Sequence, residues 1–318
     1  MGKIAIISGV NGQDGSYLAE LLIKKKYKVY GITNPLRKKN RLNNINKIKD
    51  KIILKYVDIN NISKIRNLIK LIKPNEFYHL AAQSYINYKF EDEFFKLNPN
   101  INGTHYILSA IKNFSPKTKF YFAGSSEMFG NVSKSTQNEE TKFNPRSAYG
   151  VSKVAGFYLT KNYREAYNLF CCTGILYNHE SPRRSISFVT RKITHGISLI
   201  KKGKINKIIL GNINSKRDWG HANEYVLAMW KMLQLNKPDD FVIGTGKLYS
   251  VLDFIKIAFK YADLDFKKHI KIEKKLFRPN EKFNLRANIS KAKKKLKWEP
   301  KISFVKLVHE MVDNDLKF

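Results

Sequence analysis

Cysteine is almost missing from this chain. The 318 residues hold two, Cys171 and Cys172, adjacent in a β-like run. A structural disulfide framework is thereby excluded, and a reducing, cytoplasmic compartment is expected. No run of 18 or more apolar residues occurs, so no membrane-spanning helix is expected. A strand-like run begins at Ile4, with no long apolar stretch and small-residue cleavage site before it, so no secretory signal is expected either. Internal repeats and low-complexity linkers are also lacking. Acids are scarce: 26 Asp and Glu stand against 59 Lys and Arg, for a net charge of +33. None lies between Glu20 and Asp50.

Such a charge can mark a nucleic-acid binder. Here lysine is spread along the whole chain together with Asn and Ile, a pattern of compositional bias and not of a binding patch. Specific nucleic-acid binding is therefore not expected, nor is a metal site. A positive field still attracts phosphorylated or nucleotide-bearing ligands. The length and a hydrophobic content of 43% suit one large domain or two unequal ones.

The first half alternates short apolar runs with helical patterns. Strands are expected at Ile4–Ser8, Val29–Ile32, Ile52–Asp58, Phe77–Leu80, Lys119–Ala123 and Phe170–Tyr177. Helices are expected at Tyr17–Lys26, Ser63–Lys73, Thr104–Asn113 and Tyr149–Asn168. This predicts an α/β fold: a Rossmann-like, doubly wound parallel sheet over residues 1–177. Beyond residue 178 the spacing predicts a smaller, mostly helical, substrate-binding lobe, residues 178–318, with helices at Phe188–Lys202, Asn223–Leu235, Val251–Tyr261 and Phe304–Leu316. Segments around 210–240 are expected to return to the first domain.

The stretch GVNGQDGSYLAELL, residues 9–22, follows the first strand and opens the first helix. In a βαβ unit the first glycine permits the turn and the second lets backbone approach a pyrophosphate. The third lets helix and strand pack closely, and the helix N-terminus faces the anion. Gly9, Gly12 and Gly15 fit that pattern with GxxGxxG spacing, which resembles the extended short-chain dehydrogenase/reductase superfamily. The usual NAD-reading acid about 20 residues downstream is missing. Arg37, Lys38, Lys39 and Arg41 stand there instead. Cations suit a 2′-phosphate, so NADP is expected over NAD. The same residues also suit a solvated basic loop.

SAYGVSKVAG places Tyr149 and Lys153 four apart on a helix, hence on one face. A nearby ammonium should lower the tyrosine pKa from its ordinary value of about 10 and make it a proton acceptor. An exposed Tyr–Lys pair is the bland reading. FAGSSEMFG follows the Lys119–Ala123 strand, whose carboxyl end should open on the ligand crevice. A hydroxyl at Ser125 can hold a reacting oxygen. A carboxyl at Glu127 can move a second proton, from carbon, or be a plain loop acid.

Taken with HLAAQS (79–84), NPRSAYGVSKVAG (144–156), YNHESPRR (177–184), FVTRKI (188–193), LGNINSKRDWGHANEYVLAMW (210–230) and FRPNE (277–281), these stretches resemble the GDP-mannose 4,6-dehydratase family nearly end to end. The resemblance implies conversion of a GDP-hexose, GDP-mannose foremost, to a 4-keto-6-deoxy product, with hydride passing from C4 to NADP and back to C6. Tyr149 would act on the 4-hydroxyl, Ser125 would support that oxygen, and Glu127 would take the C5 proton. Implied cofactor contacts are Gly9, Asn11, Gly12, Gln13, Asp14, Gly15, Asp58, Ile59, Leu80, Ala81, Ala82, Ser84, Tyr149, Lys153, His179 and Arg184. Implied substrate contacts are Ser84, Asn178, Val189, Lys192, Arg217, Arg278 and Glu281. A homodimer or homotetramer is implied as well. Two departures stand out. Asn34-Pro35-Leu36 occupies the place of a double arginine common in the family, and Phe95 that of a tyrosine. They leave open another GDP-sugar, such as a GDP-manno-heptose. A C4 reductase, dehydrogenase or epimerase on the same scaffold is the competing enzyme reading.

Overall fold

The computed structural model describes residues 2–35, 43–82, 90–132, 135–277 and 284–317. The first unit is β1 (Ile4–Ser8), α1 (Gln13–Lys24) and β2 (Lys28–Thr33). Next come a 3₁₀ run at Asn43–Lys51, then β3 (Ile53–Tyr56), α2 (Ile62–Ile72), β4 (Glu76–His79) and α3 (Phe90–Phe114). A second series follows: β5 (Lys119–Ser125), α4 (Ala148–Tyr167), β6 (Cys171–Leu176) and β7 (Asn178–Glu180). The remainder holds α5 (Val189–Lys201), β8 (Ile208–Leu210), β9 (Lys216–His221), α6 (Ala222–Leu233), β10 (Phe241–Ile243), β11 (Leu248–Ser250), α7 (Val251–Tyr261), α8 (Phe266–His269), β12 (Ile270–Ile272) and α9 (Phe304–Leu316).

Seven strands form one sheet in the order β10-β6-β5-β4-β1-β2-β3, and every neighbouring pair is parallel. A parallel sheet is covered on both faces, so its strands read as near-continuous apolar runs. Phe120, Phe122, Ile107 and Ile111 fill one face under α2, α3 and α4. Leu18, Leu22, Val226 and Met229 fill the other under α1 and α6. The chain's direction of winding reverses at β1, which lies between β2 and β4. At that reversal the connections diverge and leave a crevice at the carboxyl ends of the strands.

The smaller lobe packs α5, α7 and α9 around Ile193, Ile197, Phe254, Phe259 and Met311. Trp219 of β9 stacks on Phe304 with ring planes 6° apart. Two short sheets, β11-β9-β7 and β12-β8, accompany these helices; their three-residue strands are too brief to show an alternating pattern. Among the described residues no helix is long and apolar enough to cross a membrane.

Two elements differ from expectation for physical reasons. Helix α3 starts at Phe90, 14 residues before the expected Thr104, and carries Pro99 in its interior. Phe90, Phe94, Leu97 and Ile101 keep helical spacing, but the first half also contains the residue that removes a helix hydrogen bond, and that proline argues against a helix in the sequence. The 3₁₀ run Asn43–Lys51 buries Ile45 and Ile48, which fall three apart as a three-residue turn requires.

The glycine turn sets the first unit. Gly9 has φ +77, and a Cβ on Gly15 would sit 2.7 Å from Val10 Cα and closer still to the Gly9 carbonyl oxygen. Both neighbours are backbone and cannot swing aside. Gly15→Ala is therefore expected to cost about 1–3 kcal/mol, the range for forced overpacking, read as a lower urea midpoint at unchanged m-value.

Candidate functional site

Two connected hollows lie at the carboxyl ends of the sheet strands. The first, a trough, runs along the glycine turn. Gly9, Asn11, Gly12, Gln13, Asp14 and Gly15 form one wall. Asp58 and Ile59 after β3, and Leu80, Ala81 and Ala82 after β4, form the floor and far side. The N-cap of α1 is Gly12, and no side chain caps the helix. Its positive end therefore faces the trough. Thr33 at the end of β2 lines the same trough, and its buried Oγ1 has no partner among the described residues. Of the residues the sequence nominated here, Arg37, Arg41 and Ser84 lie outside the described residues.

The second hollow, a cleft, opens between β5, α4 and the smaller lobe. Ser125, Glu127, Tyr149, Lys153, Asn178, His179, Val189, Lys192 and Arg217 all line it. Asp14, Leu80, Ala82, Arg184 and Phe188 line both hollows. Arg278 and Glu281 lie outside the described residues, which reach the cleft's edge at Phe277.

Local packing explains why Glu127 and Tyr149 meet. A Cβ on Gly150 would lie 2.7 Å from the Glu127 carbonyl oxygen, so the glycine after Tyr149 lets α4 approach the turn after β5. Ser147 caps α4 by accepting from the Gly150 amide at 3.0 Å. Ser125 Oγ accepts from the Glu127 amide at 3.3 Å. Lys153 is buried, donates to the Ala123 carbonyl at 2.8 Å, and sits 5.7 Å from the centre of the Tyr149 ring.

The expected electrostatics of this pair are corrected by burial. Desolvation pushes Tyr149 up to about 12, opposed by the Ser125 hydroxyl. Desolvation also pulls Lys153 down to about 8, with Asp14 acting the other way. Removing both groups from water penalises their charged forms more than their neighbours favour them. Lysine at i+4 is thus insufficient by itself to make the phenolate.

A second ionic pair joins the hollows. His179 Nε2 meets Asp14 Oδ2 at 2.8 Å, and His179 Nδ1 meets the Tyr177 carbonyl at 2.7 Å. Burial alone would raise Asp14, but His179 holds it below the usual carboxylate range. Burial alone would lower His179, but Asp14 lifts it above the ordinary imidazole value. Arg184 stacks on Phe188 at 3.6 Å and pairs with Glu180 at 3.2 Å. Substrate-side Arg217 donates to the Lys216 carbonyl at 2.7 Å.

Sequence reasoning did not nominate several lining residues. Thr33, Asn44, Asn100 and Arg183 border the trough; Glu180, Asn212 and Trp219 border the cleft. Arg183 beside the nominated Arg184 was the readable signal. Asn100 was hidden because the first half of α3 was not recognised as helix.

The folding pattern, a parallel sheet with a smaller lobe at its carboxyl edge, is shared with solved structures. A UDP-glucose 4-epimerase from Thermotoga maritima superposes with TM-score 0.88 at 22% identity, covering 99% of each chain. A dTDP-glucose 4,6-dehydratase from Bacillus anthracis gives 0.87 at 20% identity, covering 99% of this chain and 97% of that one. At such identity these show the fold. Sequence narrows the class. The family model described as GDP-mannose 4,6 dehydratase matches residues 6–311. GDP-mannose 4,6 dehydratase 1 of Arabidopsis thaliana is 46% identical over 326 residues, covering 99% of this chain and 90% of that protein. The Homo sapiens GDP-mannose 4,6 dehydratase is 40% identical over 346 residues, covering 100% and 93%. The chain belongs to the GDP-mannose 4,6-dehydratase family.

Lys153 gives a pH test of the site. Its pKa falls from 10.5 to about 8 on folding. Between these values the unfolded chain binds the extra proton, so this lysine's contribution to stability grows as pH rises and is lost as pH falls through about 8. The stability difference between wild type and Lys153→Met should shift by up to about 3 kcal/mol in favour of wild type from pH 7.5 to 10.5, measured by urea unfolding. A pH-independent difference contradicts the buried placement of the ammonium.

Proposed function

We propose that the protein is an NADP-dependent GDP-mannose 4,6-dehydratase. The carrying observation is the joint placement of Ser125, Glu127, Tyr149 and Lys153 in one cleft, in a chain of this family. A reductase or epimerase needs the hydroxyl and the tyrosine but has no use for an added carboxyl group two residues after Ser125.

The trough suits a dinucleotide: a glycine turn that a side chain would obstruct, a helix N-terminus whose cap residue is a glycine, and the Thr33 hydroxyl, which has no partner among the described residues. NADP over NAD is favoured by the lack of any acid from Leu21 to Lys49. Related folds carry either cofactor: the Bacillus anthracis dehydratase is described in complex with NAD and a Pseudomonas aeruginosa protein with NADPH. When bound along the Gly9–Gly15 turn, an oxidised nicotinamide would supply a reversible hydride acceptor for sugar C4 and C6 and a positive charge favouring the Tyr149 phenolate. Tyr149 takes the 4-hydroxyl proton while Ser125 holds that oxygen. Lys153 supports the phenolate by its charge. Glu127 removes the C5 proton and delivers a proton to the departing 6-hydroxyl; C5 then regains a proton, matching the one Tyr149 took, so the sugar loses one water overall. Arg217 and Lys192 hold the GDP diphosphate and ribose side, as a guanidinium fork suits phosphate oxygens; Asn178 and Val189 complete that wall.

The labour divides near residue 177, with the trough built mainly by the first part and bordered by residues 183–191 of the second, which also closes the cleft. Two buried free cysteines agree with a reducing, cytoplasmic setting. Exposed Val151 and Tyr158 on α4 offer a surface for self-association as a homodimer or homotetramer.

Purified protein incubated with GDP-mannose should yield a product lighter by one water, and dinucleotide released by denaturation should be NADP by mass. Glu127→Gln should slow water loss by about 10² or more while still reducing bound cofactor, visible near 340 nm. Tyr149→Phe should give neither signal. Product formed in D₂O should carry deuterium at C5. Dehydration by Glu127→Gln at the wild-type rate sinks the assignment. Turnover of another GDP-sugar in preference to GDP-mannose overturns the choice of sugar alone. Arg217→Ala should weaken GDP binding by roughly 1.5–3 kcal/mol, measured by calorimetry; unchanged affinity removes Arg217 from the site.

A further inference from the structure

The turn at residues 181–185 lies where the trough and cleft meet, and it is held by contacts from elsewhere in the chain. On the sheet side, Arg183 stacks over Tyr17 at 3.9 Å and binds Glu20 at 2.6 Å and Ser16 at 3.0 Å, all on α1. On the lobe side, Arg191 of α5 donates to the Pro182 carbonyl and, at 2.9 Å, to the Arg184 carbonyl. The remaining donors of Arg191 grip Asp315 in the last turn of α9, Nε to Oδ2 at 3.0 Å and Nη2 to Oδ1 at 2.6 Å. Thr194 adds a bond to Asp315 Oδ2 at 2.5 Å. Asp315 is 4% exposed.

A planar fork with every face used is a rigid device. It fixes the carbonyls of Pro182 and Arg184, and hence the backbone from which Arg184 enters both hollows. Nothing in the proposed chemistry requires Asp315, which is 124 residues away from Arg191 in sequence. Stability alone does not explain the arrangement either, since a buried ion pair is often no better than apolar packing of equal volume.

We propose that Arg191 and Asp315 form a positioning clamp through which the C-terminal helix sets Arg184 at the junction of the two hollows, so that binding in both hollows depends on it. The turn is held between α1 and α9, so loosening it on the α9 side displaces a residue shared by both walls. The inference rests on reading the trough as a dinucleotide site and the cleft as a GDP-sugar site.

Calorimetry with NADP⁺ alone and with GDP alone tests it on the full chain. Asp315→Asn should weaken both ligands about tenfold. Arg191→Lys keeps the charge but loses the fork; it should act in the same direction and serves if Asp315→Asn does not fold. Asp240→Asn is the control. It breaks another bidentate pair, Arg164–Asp240 at 2.9 and 2.7 Å, at the amino end of β10 and away from both hollows. It should lower Tm without changing either affinity. Wild-type affinities in both Asp315→Asn and Arg191→Lys overturn the clamp, as does loss of affinity for one ligand only. Failure of wild type itself to bind either ligand overturns the reading of the hollows and the clamp with it.

Discussion

The contact between Asp14 and His179 joins the two functions of the molecule at one point. Asp14 is the second residue of α1, and His179 is the middle residue of β7. Their 2.8 Å pairing ties the turn that follows β1 to the strand that opens the smaller lobe. Each partner favours the other's charged form against the desolvation that opposes it. Gln13 reinforces the same seam by donating to the His179 carbonyl at 3.1 Å. The relative position of trough and cleft therefore depends on a pair that is itself part of both walls.

The same economy of acids recurs through the fold. In a chain with 26 acids against 59 bases, buried carboxylates act as fixed anchors. Asp218 accepts from the Thr245, Gly246 and Ala287 amides at 2.7, 2.8 and 3.1 Å. It thus gathers two loops behind the strand that carries Arg217 and Trp219. Glu76 gathers the Tyr27 and Tyr78 hydroxyls at 3.0 and 2.7 Å at the opposite end of the sheet. A buried carboxylate deprived of its donors costs far more than the bonds themselves contribute. These anchors explain how a strongly cationic chain retains a defined interior, while its excess lysine stays in solvent.

Chemistry was legible in the sequence wherever it depends on neighbours a few residues apart. The turn Gly9–Gly15, the pairing of Ser125 with Glu127 and the helix face shared by Tyr149 and Lys153 follow from local spacing. So does the alternation of strands and helices in the first half. Where spacing misled, a particular residue is responsible. Pro99 concealed most of α3. The 3₁₀ run at Asn43–Lys51 buries two isoleucines three apart, Ile45 and Ile48, too short a pattern to mark an element.

The sequence by itself determined the fold class, the family and the set of chemical groups, because short-range geometry and motif spacing are written directly in residue order. Tertiary structure alone decided the charge states of Tyr149 and Lys153, since desolvation depends on what covers a side chain and not on its neighbours in the chain. It alone joined Asp14 to His179, and Arg191 to Asp315. Such pairs form only when separately folded elements bring distant donors and acceptors out of water together.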